Sequence, residues 1–147
     1  MSRYFRFLIS GLWSLRPNQV QADYTKIYFD GVASSYDVIV DDAQVKHLPL
    51  QCGTLVENSS FEDGALYWEA TDRNRLKVAL YSPGASGESD FALRAYDRDH
   101  KWRGLRQKLD PRCFVTGEEY AITSKFRMLN ATSGAGVSCD VNHQWNR

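Results

Sequence analysis

The chain has 147 residues, of which 43% are hydrophobic and 24% are charged, and this predicts one globular domain with its own hydrophobic core. Its 18 basic and 18 acidic residues cancel, so no excess of positive charge favours nucleic acid as a partner. No apolar stretch is long enough to cross a membrane as a helix, so we expect no membrane partner.

The first third of the chain consists of short apolar runs separated by loop residues. Residues 5–15 predict a pair of strands with a break at Ser10 and Gly11, and residues 16–19 predict a loop. Residues 26–30 alternate in polarity and residues 37–45 are rich in β-branched side chains, and both patterns are typical of strands. An alternative interpretation treats the N-terminus as a signal peptide, but polar interruptions favour strand structure.

The stretch from Leu55 to Trp68 is rich in turn residues. Asn58 and the two serines after it end an apolar run, and Asp63 with Gly64 predicts a tight turn because glycine adopts positive φ without steric cost. Trp68 then returns the chain to an apolar environment.

The remainder of the chain again alternates with a period of two. The alternating segments are residues 76–80, 91–95, 102–109, 120–128 and 137–145. No segment shows sustained helical periodicity. The sequence therefore predicts an all-β fold, an antiparallel β-sandwich.

The three cysteines, Cys52, Cys113 and Cys139, are far apart and lack the spacing of metal ligands. An odd number leaves at least one thiol unpaired within the chain. One disulfide with one free thiol, and three reduced thiols, are both compatible with this pattern.

Several motifs resemble CenC-type carbohydrate-binding modules, which are carbohydrate-binding families four and nine and their relatives. N-x-x-F-E-D-G followed by Trp, at 58–68, resembles the opening of such a module. A-L-R-A-x-x-R-x-x-x-W-x-G-L-x-Q-x-L at 92–109 resembles its central motif, and G-E-E-Y-A-I-T-S-K-F-R-M at 117–128 resembles the strand that follows. K-I-Y-F-D-G at 26–31 and Y-D-V-I-V-D-D-A-Q-V at 36–45 resemble the end of a module.

The order of these motifs is inverted. Residues 1–47 resemble the C-terminal third of a module, and residues 53–147 resemble its N-terminal two-thirds. The resemblance implies a jelly-roll, galactose-binding-like β-sandwich, which we expect to span residues 1–147 as a single domain closed in circularly permuted order. The alternative is that the chain holds two incomplete pieces of a tandem array.

The resemblance implies a non-catalytic module that binds a polysaccharide or oligosaccharide, belongs to an extracellular glycan-active protein and is part of a larger multi-module protein. The central motif carries over cleft positions to Arg98, Trp102 and Gln107, and Tyr81 and Tyr96 add aromatic rings on which sugars can pack. Trp102 suits the core as well as a cleft. Gln107 shares a face with apolar neighbours, which favours a buried amide.

Related modules hold a structural calcium ion between their first and last strands. The resemblance assigns its carboxylate ligands here to Glu62 and Asp42, since calcium needs several oxygen ligands at once. The alternative is that both side chains are solvated carboxylates of turns and caps.

A search for catalytic groups gives no positioned pair. Asp41 with Asp42, and Glu118 with Glu119, are sequence neighbours, so their side chains point to opposite faces of a strand. We therefore expect no enzymatic activity. The alternative function is a protein-interaction or adhesion β-sandwich without sugar affinity, and a glycoside hydrolase fragment is less favoured.

Overall fold

The computed structural model describes residues 7–14, 25–48, 52–84 and 91–137. Within these ranges the chain forms eight β-strands and one short 3-10 helix, and no α-helix. The strands are β1 (Phe7–Ser14), β2 (Thr25–Phe29), β3 (Tyr36–Leu48), β4 (Trp68–Ala70), β5 (Lys77–Tyr81), β6 (Ala92–Tyr96), β7 (Leu105–Leu109) and β8 (Glu119–Asn130), and the 3-10 helix is Pro111–Cys113.

The strands form two antiparallel sheets. The five-stranded sheet has the order β1-β8-β3-β6-β5, and the three-stranded sheet has the order β2-β7-β4. The prediction of an all-β antiparallel sandwich is confirmed. Strand β3 lies between β8 and β6, and β2 pairs with β7, so the stretches 7–48 and 68–130 contribute to both sheets. The jelly-roll topology and the permuted order remain predictions.

Strands β1 and β7 differ most from the sequence-based prediction. Strand β1 runs through Ser10 and Gly11 without a break, because every residue from 7 to 14 has a partner on β8. Strand β7 begins at Leu105, and the residues before it belong to a loop. The predicted last strand, 137–145, lies outside the described residues except for Val137.

The hydrophobic core lies between the two sheets. Alternate residues of the five-stranded sheet, such as Val38 and Leu93, face Leu105 and other residues of the three-stranded sheet, and all three are fully buried. Trp68 is also a core residue, with its ring 5.2 Å from that of Phe61. The period-two pattern of the sequence therefore places one face of each strand inside the sandwich.

A β-bulge interrupts β3 between Asp41 and Gln44, where two residues of β3 lie opposite one residue of β8. Asp42 within it has a φ of 47°, in the left-handed region. The hydroxyl of Ser124 is buried and donates to the Asp41 carbonyl at 3.1 Å. The bulge keeps Val45 on the core face.

Cys52 and Cys113 form a disulfide, with their Cα atoms 5.9 Å apart. It ties the segment after β3 to the 3-10 helix between β7 and β8. Of the two alternatives left by the cysteine count, three reduced thiols is therefore wrong. Cys139 lies outside the described residues.

Among the described residues, no helix has both the length and the apolar character needed to cross a membrane.

Candidate functional site

Gln107 is a buried residue of β7 whose side chain holds the loop that begins at Glu57. Its Nε2 donates to the Glu57 carbonyl at 2.9 Å, and its Oε1 accepts from the Glu57 amide at 2.8 Å. A buried amide needs both kinds of partner, and the backbone of one residue supplies them here. The predicted buried position is confirmed, and the side chain is aimed at this loop.

Arg98, in the loop after β6, is also buried, at 6% exposure. Each of its five N–H groups donates to a different backbone carbonyl, and the acceptors are Val32, Ala33, Tyr36, Lys101 and Arg103. Burial lowers the pKa of the guanidinium, and the carboxylates of Asp30 and Asp37 partly offset this. Arg98 therefore joins the loop before β3 to the loop between β6 and β7.

Trp102 lies in the same β6–β7 loop and is 57% exposed. The imidazole of His100 stacks on its indole, with ring centroids 4.5 Å apart and an angle of 19° between the planes. Of the two alternatives for Trp102, burial in the core is therefore wrong. The ring is presented to solvent by a loop that Arg98 fixes at two carbonyls.

Tyr81 and Tyr96 lie on the face of the five-stranded sheet that points away from the core, here called the outer face. Both rings are half-buried. The guanidinium of Arg94 lies between them, 6.0 Å from the Tyr81 ring and 5.2 Å from the Tyr96 ring. Arg127 lies 5.6 Å from the Tyr81 ring. These contacts are cation–π interactions, which fix the positions of both tyrosines.

Hydrogen bonds and apolar packing support this aromatic pair. Arg94 Nε donates to Asp37 Oδ2 at 3.0 Å, and Arg94 Nη2 donates to the same oxygen. Beneath the polar groups lies a small apolar cluster that is almost fully buried and consists of Ile39, Ala92 and Leu129, with Tyr81 packed against it. Among the described strands none packs over this face, since both sheets share the core on the opposite side.

Sequence reasoning did not select Arg94, Arg127 and Asp37 as site residues. A signal was available, because the alternation along residues 92–96 places Arg94 on the same strand face as Tyr96. Asp37 of β3 lies beside Arg94 only because β3 and β6 pair in one particular register. A local sequence pattern does not reveal that register.

An open crevice of about 510 Å³ lies between the edge strands β4 and β5. Trp68, Leu76 and Val78 line its apolar part, and Lys77 lines its polar part. Tyr96 also lines the crevice, so its ring belongs to both this crevice and the outer face. Asp97 lies 2.7 Å from Lys77 Nζ, and its hydrogen bond and charge raise the pKa of that amine.

The predicted calcium ligands lie in neighbouring segments. The amide of Ala43 donates to the Ser59 carbonyl at 3.3 Å, which brings the bulge holding Asp42 beside the loop that contains Glu62. Lys125 Nζ lies 2.5 Å from Asp42 Oδ2, so an ammonium group already faces this carboxylate. In the described part of the chain no cluster of three or more His, Cys, Asp or Glu is placed to hold a metal. Since calcium also accepts backbone carbonyls as ligands, binding through Glu62 and Asp42 stays a prediction.

The structure thus does not bring the five predicted carbohydrate-binding residues together at one place. Tyr81 and Tyr96 share the outer face, Trp102 is exposed on a loop, and Arg98 and Gln107 are buried and bonded to backbone groups. Comparison with protein family models gave no match, and comparisons with curated proteins and with solved structures gave none either. The resemblance to CenC-type modules therefore depends on the motifs quoted above.

Proposed function

We propose that this chain is a non-catalytic carbohydrate-binding β-sandwich that binds a polysaccharide on the outer face of its five-stranded sheet. The supporting observation is that Tyr81 and Tyr96, predicted from the sequence as sugar-binding residues, lie on this one face on either side of Arg94. No described strand covers them.

The chemistry of the outer face suits a sugar chain. Sugar rings present apolar C–H faces that pack on aromatic rings, and their hydroxyl groups need donors and acceptors in fixed positions. Tyr81 and Tyr96 supply the rings, and the Arg94 guanidinium, which Asp37 holds in place, supplies hydrogen-bond donors that are already oriented. Fixing these groups before the ligand arrives lowers the entropic cost of binding.

The spacing of the two tyrosines favours an oligomer over a single sugar. Tyr81 of β5 lies opposite Ala92 of β6, and Tyr96 follows four residues further along that strand. At the usual rise of a strand, this separates the two backbone positions by about 14 Å. A ligand that contacts both rings therefore needs several linked sugar units.

The carboxylates near this face support a binding role over a catalytic one. Asp37 is nearly fully buried and bonded to Arg94, and Asp97 is paired with Lys77. A glycosidase requires two carboxyl groups that flank the scissile bond. The proposal also places the module outside the cell, as one part of a larger protein, and the disulfide between Cys52 and Cys113 supports an oxidising compartment.

A second candidate function is protein interaction, and exposed apolar side chains favour it. Leu66, Tyr67 and Trp102 are each more than half exposed. Tyr67 also has a φ of 69°, which is unusual for an aromatic residue and is more often found where a loop has a function.

The test is affinity electrophoresis of the purified chain against a panel of soluble polysaccharides. One polysaccharide is expected to retard the wild type, and Tyr81→Ala with Tyr96→Ala is expected to weaken that retention about tenfold or more. Tyr28→Ala is the matched control, because Tyr28 is 48% exposed on a strand of the other sheet. Adding a chelator tests the predicted contribution of calcium.

The outcomes separate the candidate functions. Loss of retention in Trp102→Ala, with the tyrosine double variant unaffected, would move the site to the β6–β7 loop and contradict the outer face. No retention by any polymer, in a chain that melts cooperatively, would leave protein interaction as the remaining candidate.

A further inference from the structure

The sequence contains two acceptor motifs for N-linked glycosylation, Asn-x-Ser or Asn-x-Thr with x other than proline. They are Asn58-Ser59-Ser60, before β4, and Asn130-Ala131-Thr132, at the end of β8. A motif alone is weak, because a glycan also needs an amide nitrogen that the fold leaves available. The structure distinguishes the two asparagines on this point.

The amide group of Asn58 holds its own loop together. Its Nδ2 donates to the carbonyls of Gly64, at 2.9 Å, and Leu66, at 3.3 Å. Its Oδ1 accepts from the Asp63 amide at 3.2 Å, and its own carbonyl accepts from the indole of Trp68 at 3.2 Å. A glycan on Nδ2 would replace one of the two N–H groups, and its bulk would lie where the loop closes on itself.

The amide group of Asn130 is arranged differently. Its Oδ1 accepts from the backbone amides of Thr132, at 3.0 Å, and Ser133, at 2.9 Å, which shapes the turn after β8. Its Nδ2 donates no hydrogen bond within the described part of the chain. Residues 131–136, which form this turn, are all exposed. The nitrogen that would receive a glycan is thus unused, on a partly exposed residue that directly precedes an exposed turn.

An independent observation concerns the cellular compartment. Disulfides such as the one between Cys52 and Cys113 form in oxidising compartments, which include the endoplasmic reticulum, where N-linked glycans are attached in eukaryotic cells. A chain that acquires this disulfide in the secretory pathway therefore passes the enzyme that modifies such motifs.

We propose that Asn130 is an N-glycosylation site and that Asn58, despite its matching motif, carries no glycan in the folded chain. The donor is an oligosaccharide joined to a lipid through a pyrophosphate. A bond forms between Asn130 Nδ2 and C1 of the first sugar, the bond from C1 to the pyrophosphate oxygen breaks, the lipid pyrophosphate leaves, and the amide nitrogen loses one proton.

The position of this glycan is compatible with the proposed ligand surface. Asn130 ends β8 and lies opposite Tyr36, and its strand neighbour Leu129 belongs to the outer-face cluster. Because successive side chains of a strand point to opposite faces, the Asn130 side chain does not lie on the outer face, and it sits at the end of the strand beside an exposed turn. The inference does not depend on carbohydrate binding and can be tested without a ligand.

The test expresses the full chain behind a secretory leader in a eukaryotic host and measures the intact mass before and after treatment with peptide-N-glycosidase F. Two matched variants remove one motif each without changing an asparagine, namely Thr132→Ala and Ser60→Ala. The wild type and Ser60→Ala are expected to lose the mass of one glycan on treatment. Thr132→Ala is expected to show no shift.

The intact mass is measured for both the secreted chain and the chain retained in the cell, so that a poorly secreted variant still gives a result. Peptide mapping after treatment locates the modified asparagine as a new aspartate. A folded, disulfide-bonded chain without glycan, or a glycan found on Asn58, would overturn the inference.

Discussion

Arg98→Met tests whether Arg98 stabilises the fold. The substitution keeps an unbranched chain of similar reach and removes all five N–H donors. Five backbone carbonyls, in two loops and at the first residue of β3, then lose a charged partner. Arg98→Lys keeps the positive charge but has only three donors on one atom, so it reaches fewer of these acceptors.

The magnitude follows from the burial of the group. A hydrogen bond to a charged group contributes about 1.5–3 kcal/mol, but losses within one cluster do not add, because the loops relax and water reaches some carbonyls. A buried carbonyl left without a donor costs about 1–3 kcal/mol, and after this relaxation we expect a total loss of about 3–5 kcal/mol for Arg98→Met. Arg98→Lys is expected to lose about half as much. Such a loss is a large part of the stability of a typical domain, about 5–15 kcal/mol.

Urea denaturation followed by circular dichroism measures the free energy of unfolding by linear extrapolation. Arg73→Met is the control, because the Arg73 side chain is 79% exposed and its loss is expected to leave the free energy of unfolding almost unchanged. If the free energy of unfolding of Arg98→Met lies within about 1 kcal/mol of the wild-type value, the hydrogen bonds of Arg98 contribute little to stability. If Arg98→Lys instead weakens sugar retention at unchanged stability, Arg98 contacts the ligand.

Three further predictions concern stability. Replacing Cys52 and Cys113 by serine is expected to lower the free energy of unfolding by about 4 kcal/mol, since the disulfide closes a loop across 61 residues. Urea denaturation measures this loss, and the reduced wild type should show the same loss as the serine variant. Gly104→Ala is expected to cost about 3 kcal/mol or more, because an added Cβ would lie 1.9 Å from a backbone oxygen, and a melting curve checks this. Hydrogen bonds from Arg112 lower the pKa of Asp110 from 3.8 to about 2. The wild type should therefore melt above Asp110→Asn over the pH range above 3.8, and the difference should vanish as the pH falls through about 2.

The fold class could be predicted from sequence because its signal is local. Alternation along residues 120–128, for example, required only that one face of β8 be buried, and Tyr120, Phe126 and Met128 are buried as expected. The break predicted at Ser10 and Gly11 was wrong because pairing with β8 outweighs the weak strand preference of glycine. Pairing between strands that are distant in sequence is decided by the tertiary fold, so a local sequence pattern does not predict it.

The candidate site was less predictable for the same reason. Tyr81 and Tyr96 were selected as aromatic residues, but that Arg94 lies between them follows from the register of β5 beside β6. The disulfide was one of two open alternatives, because the spacing of three cysteines does not state which pair of Cα atoms comes within bonding reach.

The central motif can be explained by the fold without a ligand. Arg98 joins two loops through backbone carbonyls, Gly104 lies against the carbonyl oxygen of Phe29 where no side chain fits, and Gln107 bonds the backbone N–H and C=O of Glu57. Each of these positions demands its residue type for a structural reason.

A resemblance carried by such residues is therefore stronger support for a common fold than for a common ligand. Trp102 is the exception within the motif, because its side chain is exposed and is not part of the core. Any ligand specificity of this chain must come from side chains that the fold does not need, and on that criterion Tyr81, Tyr96 and Trp102 are the residues to vary. The affinities of their alanine variants, compared with the stability loss in Arg98→Lys, separate ligand contacts from fold contacts in one set of measurements.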